Sequence, residues 1–557
     1  MNVADYIAGV LKERVGHIFG YPGRANLKLI DAMAAAGIEY VQTCHEQAAA
    51  MAADAYARVT GGLGAGTSTS GPGVTNLITG VANAYFDSVP CVFLTGQDNF
   101  SHINKKNQAR QNGFQEVDVV ALTAPVTKYS AAIKSADEVP YELSKALYLA
   151  LEGRPGPVLL DVPIDIQFQE LDTERPKLFE PGAPSAERMA PQSLEETVRA
   201  LSAARRPAVL AGGGLRLAGA LDEFKTFIER TGLPVATTIN GLDCLSPTYG
   251  FAGLHGNTHA NLLINNSDFL LVLGSRMAMQ HVGKVRADYT AGQVVQVDID
   301  LTERDREFNS DLFINVDLKL FLRELNARLE SESLADWSGW IRTGLAWKEK
   351  YAHNSRINPG GIDPVELVSD ICEACSDRTI FTVDVGQNQM WTAQGMKIRG
   401  GQRFLSSSGH GAMGFALPAA IGAAIASPGS PAVAFSGDGG LQMNMQELVL
   451  MARRELDLKY VVFNNGTLGM IREIQDKYYG SRHHGTAREC CDGPDLKLLA
   501  AAYGLNFLRV GGPEHRAGLK SFLNRPGPGL IEVEVDFGST VLSRYDQADI
   551  FEKEKIG

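Results

Sequence analysis

The sequence predicts an α/β protein built of three doubly wound parallel-sheet domains, and three observations support this fold class. Apolar strand patterns alternate with helical patterns along most of the chain, which is typical of parallel sheets with helices on both faces. A chain of 557 residues is too long for a single hydrophobic core. Two polar connections interrupt the alternation. We therefore predict domains at residues 1–165, 190–327 and 362–537, followed by a charged tail at 538–557.

The first block alternates short helical and strand patterns. Helices are predicted at Asp5–Arg14, Leu27–Ala36 and Glu46–Thr60, and strands at His17–Phe19 and Tyr40–Gln42. Proline, glutamate and charge then dominate the residues from Ile166 to Gln192, which we interpret as a linker.

The second and third blocks continue the alternation, without an obvious sequence repeat. Strands are predicted at Pro207–Leu210 and Val294–Val297 in the second block and at Phe381–Val383, Ala432–Ser436 and Tyr460–Phe463 in the third. The third block also has helical patterns at Pro364–Cys375 and Met443–Leu456. A polar connection that includes residues 354–361 joins the two blocks. The tail is expected either to fold over a site or to remain mobile.

The composition argues against several classes of function. The net charge is −12 and no long basic run occurs, so binding to nucleic acid or to an anionic membrane is not expected. The first residues do not resemble a signal peptide, and no apolar stretch of about 18 residues is present to span a membrane. The seven cysteines are scattered, and we interpret Cys372 and Cys375 as parts of a helix. A reduced, cytoplasmic protein is therefore predicted.

A carboxylate and a carboxamide follow two neighbouring strands of the third block. Gly437-Asp438-Gly439-Gly440 follows one strand, and Asn464-Asn465 follows the next after a helical crossover. The carboxyl ends of parallel strands meet at one edge of a sheet, where open α/β sheets bind ligands. Oxygen donors suit Mg²⁺, and a glycine-rich turn before a helix suits a phosphate. The pattern predicts a magnesium and phosphate site.

This pattern resembles the thiamine diphosphate (ThDP) motif of ThDP-dependent enzymes. The resemblance implies that Asp438, Asn465 and the backbone carbonyl of Thr467 bind Mg²⁺. It also implies that Met413 is an apolar wedge between the two rings of the cofactor. The cofactor-binding residues implied in the first and third blocks are Pro22, Gly71, Asn76, Gly386, Gln387, Asn388, Gly411, Met413, Gly437, Asp438, Gly439, Gly440, Asn465, Thr467, Leu468, Gly469 and Met470.

Glu46 opens an alanine-rich helix. By itself it would be a surface carboxylate that complements the helix dipole. Beside the other motifs, the segment resembles the glutamate helix of the ThDP family, and Glu46 is the candidate catalytic carboxyl group. In that family the glutamate binds the pyrimidine N1′ and stabilises the imino tautomer that takes the thiazolium proton. The glutamate and the diphosphate are held by different subunits, which implies at least a homodimer; a homotetramer is common among relatives.

Three segments of the first block resemble acetohydroxyacid synthase (acetolactate synthase) catalytic chains: Phe19–Gly23, Gly113–Glu116 and Ala124–Lys128. The resemblance implies that pyruvate is decarboxylated and that its two-carbon unit passes to a keto acid or ketone acceptor. Gln115 and Lys128 would position the substrates. The alternative is that both are surface polar residues.

The middle block contains segments that resemble the flavin-binding domain of these synthases. The resemblance implies FAD with a largely structural role, held by Gly212, Gly213, Arg276, Asp298 and Asp317. A bare ADP, as in oxalyl-CoA decarboxylase relatives, is the competing ligand, and a glycine-rich turn alone would favour no ligand at all.

Three positions depart from the synthase pattern. Ile474 stands where the synthases carry a tryptophan, Arg24 where they have a small glycine, and Asn388 replaces a common histidine. Loss of the indole predicts a wider acceptor side and puts acetolactate as the product in doubt. A bulkier or neutral ketone fits a wider pocket, and the flavin-bearing carboligases of keto-sugars are a branch of the family to consider.

A 2-keto acid decarboxylase and an FAD-dependent pyruvate oxidase are the alternatives. Decarboxylases usually carry a tandem histidine near residues 105–115, whereas residues 105–110 here read Lys-Lys-Asn-Gln-Ala-Arg. We interpret His483-His484 as part of a mobile loop over the site. A non-catalytic homologue would have lost Glu46 or Asp438, and both are present.

Overall fold

A computed structural model describes residues 1–103, 109–182, 189–283, 285–304, 308–352, 361–491, 493–512 and 516–556. These residues form three sheets whose strands are all parallel, joined mostly by helical crossovers, which confirms the predicted fold class. Positions Lys105–Gln108 and parts of the predicted connections, 183–188 and 354–360, lie outside the described residues. No helix in the described ranges is long and apolar enough to cross a membrane.

The first sheet has the order β2-β1-β3-β4-β6-β5. Its strands are β1 His17–Gly20, β2 Glu39–Gln42, β3 Gly64–Ser68, β4 Cys91–Gln97, β5 Tyr129–Ala132 and β6 Val158–Pro163. The helices of this domain are α1 Val3–Lys12, α2 Leu27–Ala35, α3 Glu46–Thr60, α4 Pro72–Phe86, α5 Val119–Thr123, α6 Val139–Leu151 and α7 Ile164–Gln167.

The middle sheet has the order β11-β10-β9-β7-β8. Its strands are β7 Pro207–Ala211, β8 Val235–Thr237, β9 Phe269–Leu273, β10 Gln293–Asp298 and β11 Leu312–Asn315. Its helices are α8 Pro191–Ala203, α9 Gly214–Leu217, α10 Leu221–Thr231, α11 Thr258–Asn265, α12 Met279–Val282, α13 Arg286–Tyr289 and α14 Leu318–Leu329, and α15 Ser338–Lys350 follows.

The third sheet has the order β13-β12-β14-β15-β17-β16, which is the order of the first sheet. Its strands are β12 Ile380–Val383, β13 Arg403–Ser406, β14 Ala432–Gly437, β15 Leu458–Asn464, β16 Asn506–Val510 and β17 Gly529–Glu534. Its helices are α16 Pro364–Ala374, α17 Gln387–Gly395, α18 Ala416–Ala426, α19 Asp438–Asn444, α20 Leu448–Arg453, α21 Gly469–Tyr478, α22 Arg488–Cys491, α23 Leu496–Ala502 and α24 Arg516–Leu523, with α25 Ala548–Lys553 in the tail.

The alanine-rich helix α3 joins the first domain to the third, because it packs against both α4 and α18. Its small side chains allow close approach from both sides. A Cβ added to Gly80 of α4 would lie 2.4 Å from Ala50 Cβ, and a Cβ on Gly422 of α18 would lie 2.1 Å from the Ala52 carbonyl oxygen. Two close interfaces therefore fix the axis of the helix that begins at Glu46.

Charged side chains connect all three domains beside α3. The Arg58 guanidinium lies between the carboxylates of Asp54, at 2.6 Å, and Asp87, at 3.1 Å. Arg403 of the third domain pairs with Asp243 of the middle domain at 2.7 Å and donates to the Arg58 carbonyl at 3.0 Å. These are mostly buried, hydrogen-bonded charges, so loss of one partner would leave another uncompensated.

The prediction of one helix from Met443 to Leu456 is wrong. The structure has α19 directly after β14, then a 3-10 turn at Met445–Glu447, then α20. Tertiary bonds accompany the break. Asn444 Nδ2 donates to the Gly414 carbonyl at 2.8 Å, and a Glu447 carboxylate oxygen accepts from the Cys44 amide at 2.9 Å.

The charged tail folds against the protein. The Ser539 carbonyl accepts from Gln387 Nε2 at 2.8 Å, at the edge of the third-domain cavity described below. Further along, Glu554 accepts from the Trp347 indole N–H at 2.8 Å, and the Ile556 amide donates to Asn266 Oδ1 at 2.7 Å. The tail thus runs from the third domain to the middle domain.

Candidate functional site

A cavity of about 230 Å³ lies where β12, β14 and β15 end. It is at the point where the strand order reverses, because the chain leaves β12 for β13 on one side and enters β14 on the other. The predicted residues that line it are Gly386, Gln387, Asn388, Met413, Gly437, Asp438, Gly439, Gly440, Asn465, Thr467, Leu468, Gly469 and Met470. Gly411 does not line the cavity; its φ of +70° supports a turn in the segment before Met413.

Asp438 and Asn465 lie side by side in this cavity, as their strand ends predict. The Asp438 side chain is 7% exposed, and its Oδ1 accepts from the Gly439 amide at 3.1 Å. Asn465 Oδ1 accepts from the Thr467 amide at 3.2 Å, and its Nδ2 donates to Gln387 Oε1 at 2.8 Å. Burial raises the pKa of Asp438 to about 6, although backbone N–H groups oppose this rise.

The donor set fits Mg²⁺. Across the described residues, no group of three or more His, Cys, Asp or Glu side chains could hold a metal. One carboxylate, one carboxamide and a backbone carbonyl are a typical protein share for Mg²⁺, which takes other ligands from phosphates and water. A further polar atom faces this region: Asn388 Oδ1 is buried and has no hydrogen-bond partner in the part of the chain that the structure describes, whereas its Nδ2 donates to the Val385 carbonyl at 3.0 Å. A buried orphan oxygen on a cavity wall indicates a polar occupant.

Glycine is required on two walls of the cavity. A Cβ on Gly469 would lie 1.8 Å from Gln387 Oε1, the atom that accepts from Asn465. A Cβ on Gly439 would lie 2.6 Å from Leu468 Cδ2 and 3.5 Å from Met413 Cε. These glycines therefore leave room both for the metal-site side chains and for the apolar residues that line the cavity.

The sequence interpretation missed Asp384, which holds the Met413 segment. Asp384 follows β12 and accepts from the amides of Gly414 at 2.9 Å and Ala416 at 3.2 Å. Burial raises its pKa to about 6. Its position directly after an apolar strand was the available signal, since acidic residues at the carboxyl ends of strands are common in ligand sites.

A second group of polar residues lies at the carboxyl edge of the first sheet. Glu46 is 6% exposed, and its Oε2 accepts from Asn76 Nδ2 at 3.0 Å. A Cβ on Gly73 would lie 3.3 Å from Glu46 Oε1. Gly71, with φ +58°, is in close contact with Gln115, which also has φ +58°. Glu46, Asn76, Gly71 and Gln115 are thus brought to one place, which we call the Glu46 group.

Glu447 ties the Glu46 group to the third domain. It is fully buried and accepts from the Cys44 amide, two residues before Glu46. Burial raises its pKa to about 7, against the effect of the backbone N–H groups of Cys44 and His45. No local pattern predicts this role, because the bond joins residues that are far apart in the chain.

The remaining predicted site residues of the first domain, Pro22 and Lys128, lie in two separate parts of that domain. Pro22 follows β1 and is half-buried; its neighbour Gly23 packs on Thr69, with 2.5 Å between an added Cβ and Thr69 Cβ. Lys128 precedes β5, at the amino edge of the sheet, and its amide donates to the Pro157 carbonyl at 2.8 Å. Its ammonium group donates to the Glu152 carbonyl, and burial lowers its pKa. Within one chain, Lys128 is therefore on the opposite edge of the sheet from the Glu46 group.

A larger cavity, about 440 Å³, lies at the carboxyl ends of the middle strands. Gly213, Arg276, Asp298 and Asp317 line it, together with residues of the first and third domains such as Arg154 and Ser408. Gly212 does not line it: a Cβ there would lie 2.1 Å from the Gly274 carbonyl oxygen, so this glycine permits two turns to cross. Asp317 caps α14 through the Lys319 and Leu320 amides, and burial raises the pKa of Asp298 to about 6.

Two of the three departures from the synthase pattern, Ile474 and Arg24, are on accessible surfaces, whereas Asn388 is buried in the wall of the Asp438 cavity. Ile474 is 42% exposed on α21, near Ile471 at 47%. The Arg24 side chain is 59% exposed and pairs with buried Asp98. His483, predicted to lie in a loop over the site, bonds to Asp476 at 2.7 Å.

Comparison with known proteins identifies the family. The chain matches three family models: the N-terminal TPP binding domain of thiamine pyrophosphate enzymes over residues 1–122, their central domain over 194–325 and their C-terminal TPP binding domain over 384–533. It is 36% identical over 547 residues to the acetolactate synthase large subunit of Lactococcus lactis, covering 97% of this chain and 93% of that protein.

Two further relatives extend the similarity. The acetolactate synthase isozyme 2 large subunit of Escherichia coli is 35% identical, with 96% of each chain covered. The chloroplastic acetolactate synthase 2 of Nicotiana tabacum is 35% identical, with 97% of this chain and 83% of that protein covered. The chain therefore belongs to the thiamine pyrophosphate enzyme family and resembles acetolactate synthases over nearly its whole length.

Proposed function

We propose that this protein is a ThDP- and Mg²⁺-dependent carboligase that decarboxylates pyruvate and transfers the two-carbon unit to a keto acid or ketone acceptor. The cavity at Asp438 and Asn465 is the observation that carries the proposal, because it combines a magnesium donor set with a glycine-rich phosphate turn. Similarity to acetolactate synthases over nearly the whole chain supports pyruvate as the donor.

The residues of the chain have separate tasks in this proposal. Thiamine diphosphate, when bound, supplies a carbon nucleophile and an electron sink for the reaction. Asp438, Asn465 and the Thr467 carbonyl would hold the metal, and the glycine-rich turn at Gly437–Gly440 would bind the diphosphate. Met413 would support the cofactor rings, and its segment is held by bonds to Asp384. Glu46, oriented by its bond to Asn76, would hold the proton at the pyrimidine.

We propose that the active site forms between two subunits. Residues that line the Asp438 cavity all belong to the third domain, whereas Glu46 lies in the first. A complete site needs both, so a second copy would bring its Glu46 group to this cavity. The active unit is then at least a homodimer, and a homotetramer is the form expected from the family. The cytoplasmic location remains a prediction from the sequence.

We propose that the middle cavity binds FAD. Its position at the carboxyl ends of β7, β9 and β10 suits a dinucleotide. Gly213 lines the cavity and offers backbone to a diphosphate, and Arg276 lies in the same wall. ADP remains the competing ligand. Spectra of purified protein, before and after addition of FAD or ADP, distinguish the two.

Product analysis tests the function. Pure protein is incubated with pyruvate, ThDP, Mg²⁺ and FAD, with and without added ketones, and the products are identified by mass spectrometry. Acetolactate, or a tertiary alcohol formed from an added ketone, supports a carboligase. Acetaldehyde as the sole product would instead identify a decarboxylase, and peroxide an oxidase.

A further inference from the structure

Arg24 stands next to the Glu46 group. It begins a short 3-10 turn, Arg24–Asn26, directly after Gly23. Gly23 packs on Thr69, and Thr69 Cγ2 lies 2.9 Å from the Cβ position of Gly73, which contacts Glu46 Oε1. The Ala25 amide also donates to Thr69 Oγ1 at 3.2 Å. The turn is therefore anchored, through Thr69, to the backbone that surrounds the catalytic carboxyl group.

The Arg24 side chain is oriented by a buried carboxylate. Arg24 Nη2 lies 3.6 Å from Asp98 Oδ1, and Asp98 is only 4% exposed. Asp98 Oδ2 accepts from the Phe114 amide at 3.0 Å, next to Gln115 of the Glu46 group. Asp98 thus holds both the cation and the loop that places Gln115, although 3.6 Å is too long for a hydrogen bond.

The guanidinium retains unused donors. Among the described residues Arg24 has this ion pair and no hydrogen bond, while 59% of its side chain is exposed. A guanidinium carries five N–H donors in a planar fork that matches a carboxylate or a phosphate. Phe114, whose amide also bonds to Asp98, is 66% exposed, so the loop beside Arg24 is accessible.

We infer that Arg24 determines acceptor specificity by binding an anionic group, a carboxylate or a phosphate, on the acceptor, away from the carbonyl that reacts. This inference rests on the proposed carboligase function and adds the acceptor's charge to it. The ion pair with buried Asp98 orients the guanidinium.

A comparison of kcat/KM for different acceptors tests the inference. The holoenzyme, with ThDP, Mg²⁺ and pyruvate, is given butanone, 2-oxobutyrate, 2-oxoglutarate or dihydroxyacetone phosphate, and kcat/KM is measured for each. The variants are Arg24→Gln, Arg24→Lys and, as a matched control on the same domain, Arg14→Gln, which is also exposed. Arg24→Gln is expected to lower kcat/KM by about 10- to 100-fold for acceptors with a distal anion, as for loss of a charge-assisted hydrogen bond. Butanone should change little.

The other two variants and added salt provide further checks on the role of Arg24. Arg24→Lys should retain part of the preference, Arg14→Gln all of it, and added salt should raise KM for the anionic acceptors in the wild type. The phosphate and dicarboxylate arms show which anion is preferred. Equal loss for all acceptors in Arg24→Gln, or no wild-type preference for a distal anion, would overturn the inference.

A binding measurement separates this inference from the proposed function. Calorimetry of 2-oxoglutarate and dihydroxyacetone phosphate with the holo protein, without pyruvate, needs no turnover. If no acceptor yields a ligation product but binding is lost in Arg24→Gln, the anion site stands and the carboligase proposal fails. If ligation occurs but binding of both probes is the same in the wild type and Arg24→Gln, the anion site fails alone.

Discussion

Replacing Asp438 by asparagine should stabilise the cofactor-free protein while abolishing its response to the cofactor. The carboxylate is 7% exposed, and burial raises its pKa from the ordinary 3.8 to about 6. Without a metal, the folded protein therefore holds an unfavourable buried charge at neutral pH. Asparagine has nearly the same shape and no charge, and its oxygen can still accept from the Gly439 amide.

The size of this effect follows from the pKa. Each pKa unit corresponds to about 1.4 kcal/mol, so a rise from 3.8 to about 6 destabilises the fold by about 3 kcal/mol when the group is ionised. The cost is absent below the unfolded pKa, grows as the pH rises, and is complete above the folded pKa. The metal-free variant should thus gain up to about 3 kcal/mol at pH 8, and about half as much at pH 5.

Cofactor binding should offset most of this difference in stability. A ligand at 100 times its Kd stabilises the folded state by about 2.7 kcal/mol. Mg²⁺ and ThDP should raise the wild-type unfolding midpoint, since the metal compensates the Asp438 charge. The variant lacks that charge and should show little change.

The assay is urea unfolding of stripped protein at pH 5 and pH 8, with and without Mg²⁺ and ThDP. Asp161→Asn is the matched control: this carboxylate is also buried, with a pKa raised to about 7, and within the described residues its oxygens accept from Thr95 and Gln97. It should gain stability at pH 8 and keep the full cofactor response. A stripped Asp438→Asn protein that is less stable than wild type at pH 8, or that keeps the wild-type response, would refute the reasoning.

Three other variants test separate parts of the structure. Glu46→Gln should lose most turnover yet still bind ThDP in calorimetry. Full activity would contradict the proposal that Glu46 holds the proton at the pyrimidine. Gly213→Val should purify with less bound flavin or ADP, because a Cβ at this position would lie 3.0 Å from Asn240 Cβ beside the middle cavity. The control Gly9→Val, where an added Cβ has no atom within 4 Å, should purify with the wild-type amount. Burial raises the Glu447 pKa to about 7, so the wild type should lose stability as the pH rises from about 4.5 through about 7. The Glu447→Gln variant should lack this pH-dependent loss. A variant whose urea unfolding has the wild-type pH profile would contradict this prediction.

Much of the third-domain site could be predicted because its signals are local. Asp438 and Asn465 each follow a strand, and β14 and β15 are adjacent in the sheet, so spacing along the chain translated directly into proximity. The glycines beside them are short-range signals of the same kind. The alternating pattern likewise predicted three parallel sheets.

Other features depended on contacts between distant residues. The composition of α3 showed a helix rich in alanine, but only its position between α4 and α18 explains why small residues are needed on both sides. The same applies to Glu447, whose bond to the Cys44 amide joins two domains beside the break between α19 and α20.

The sequence by itself determined the fold class, the family motifs and the edge of each sheet at which polar groups collect, because periodicity and strand-end chemistry repeat over a few residues. Only the tertiary structure decided which charges meet: Arg24 with Asp98, Asp384 with the Met413 segment, and the tail with Gln387. Such pairs depend on where separate elements pack, and burial then sets their pKa values and energies, so no local pattern in the chain encodes them.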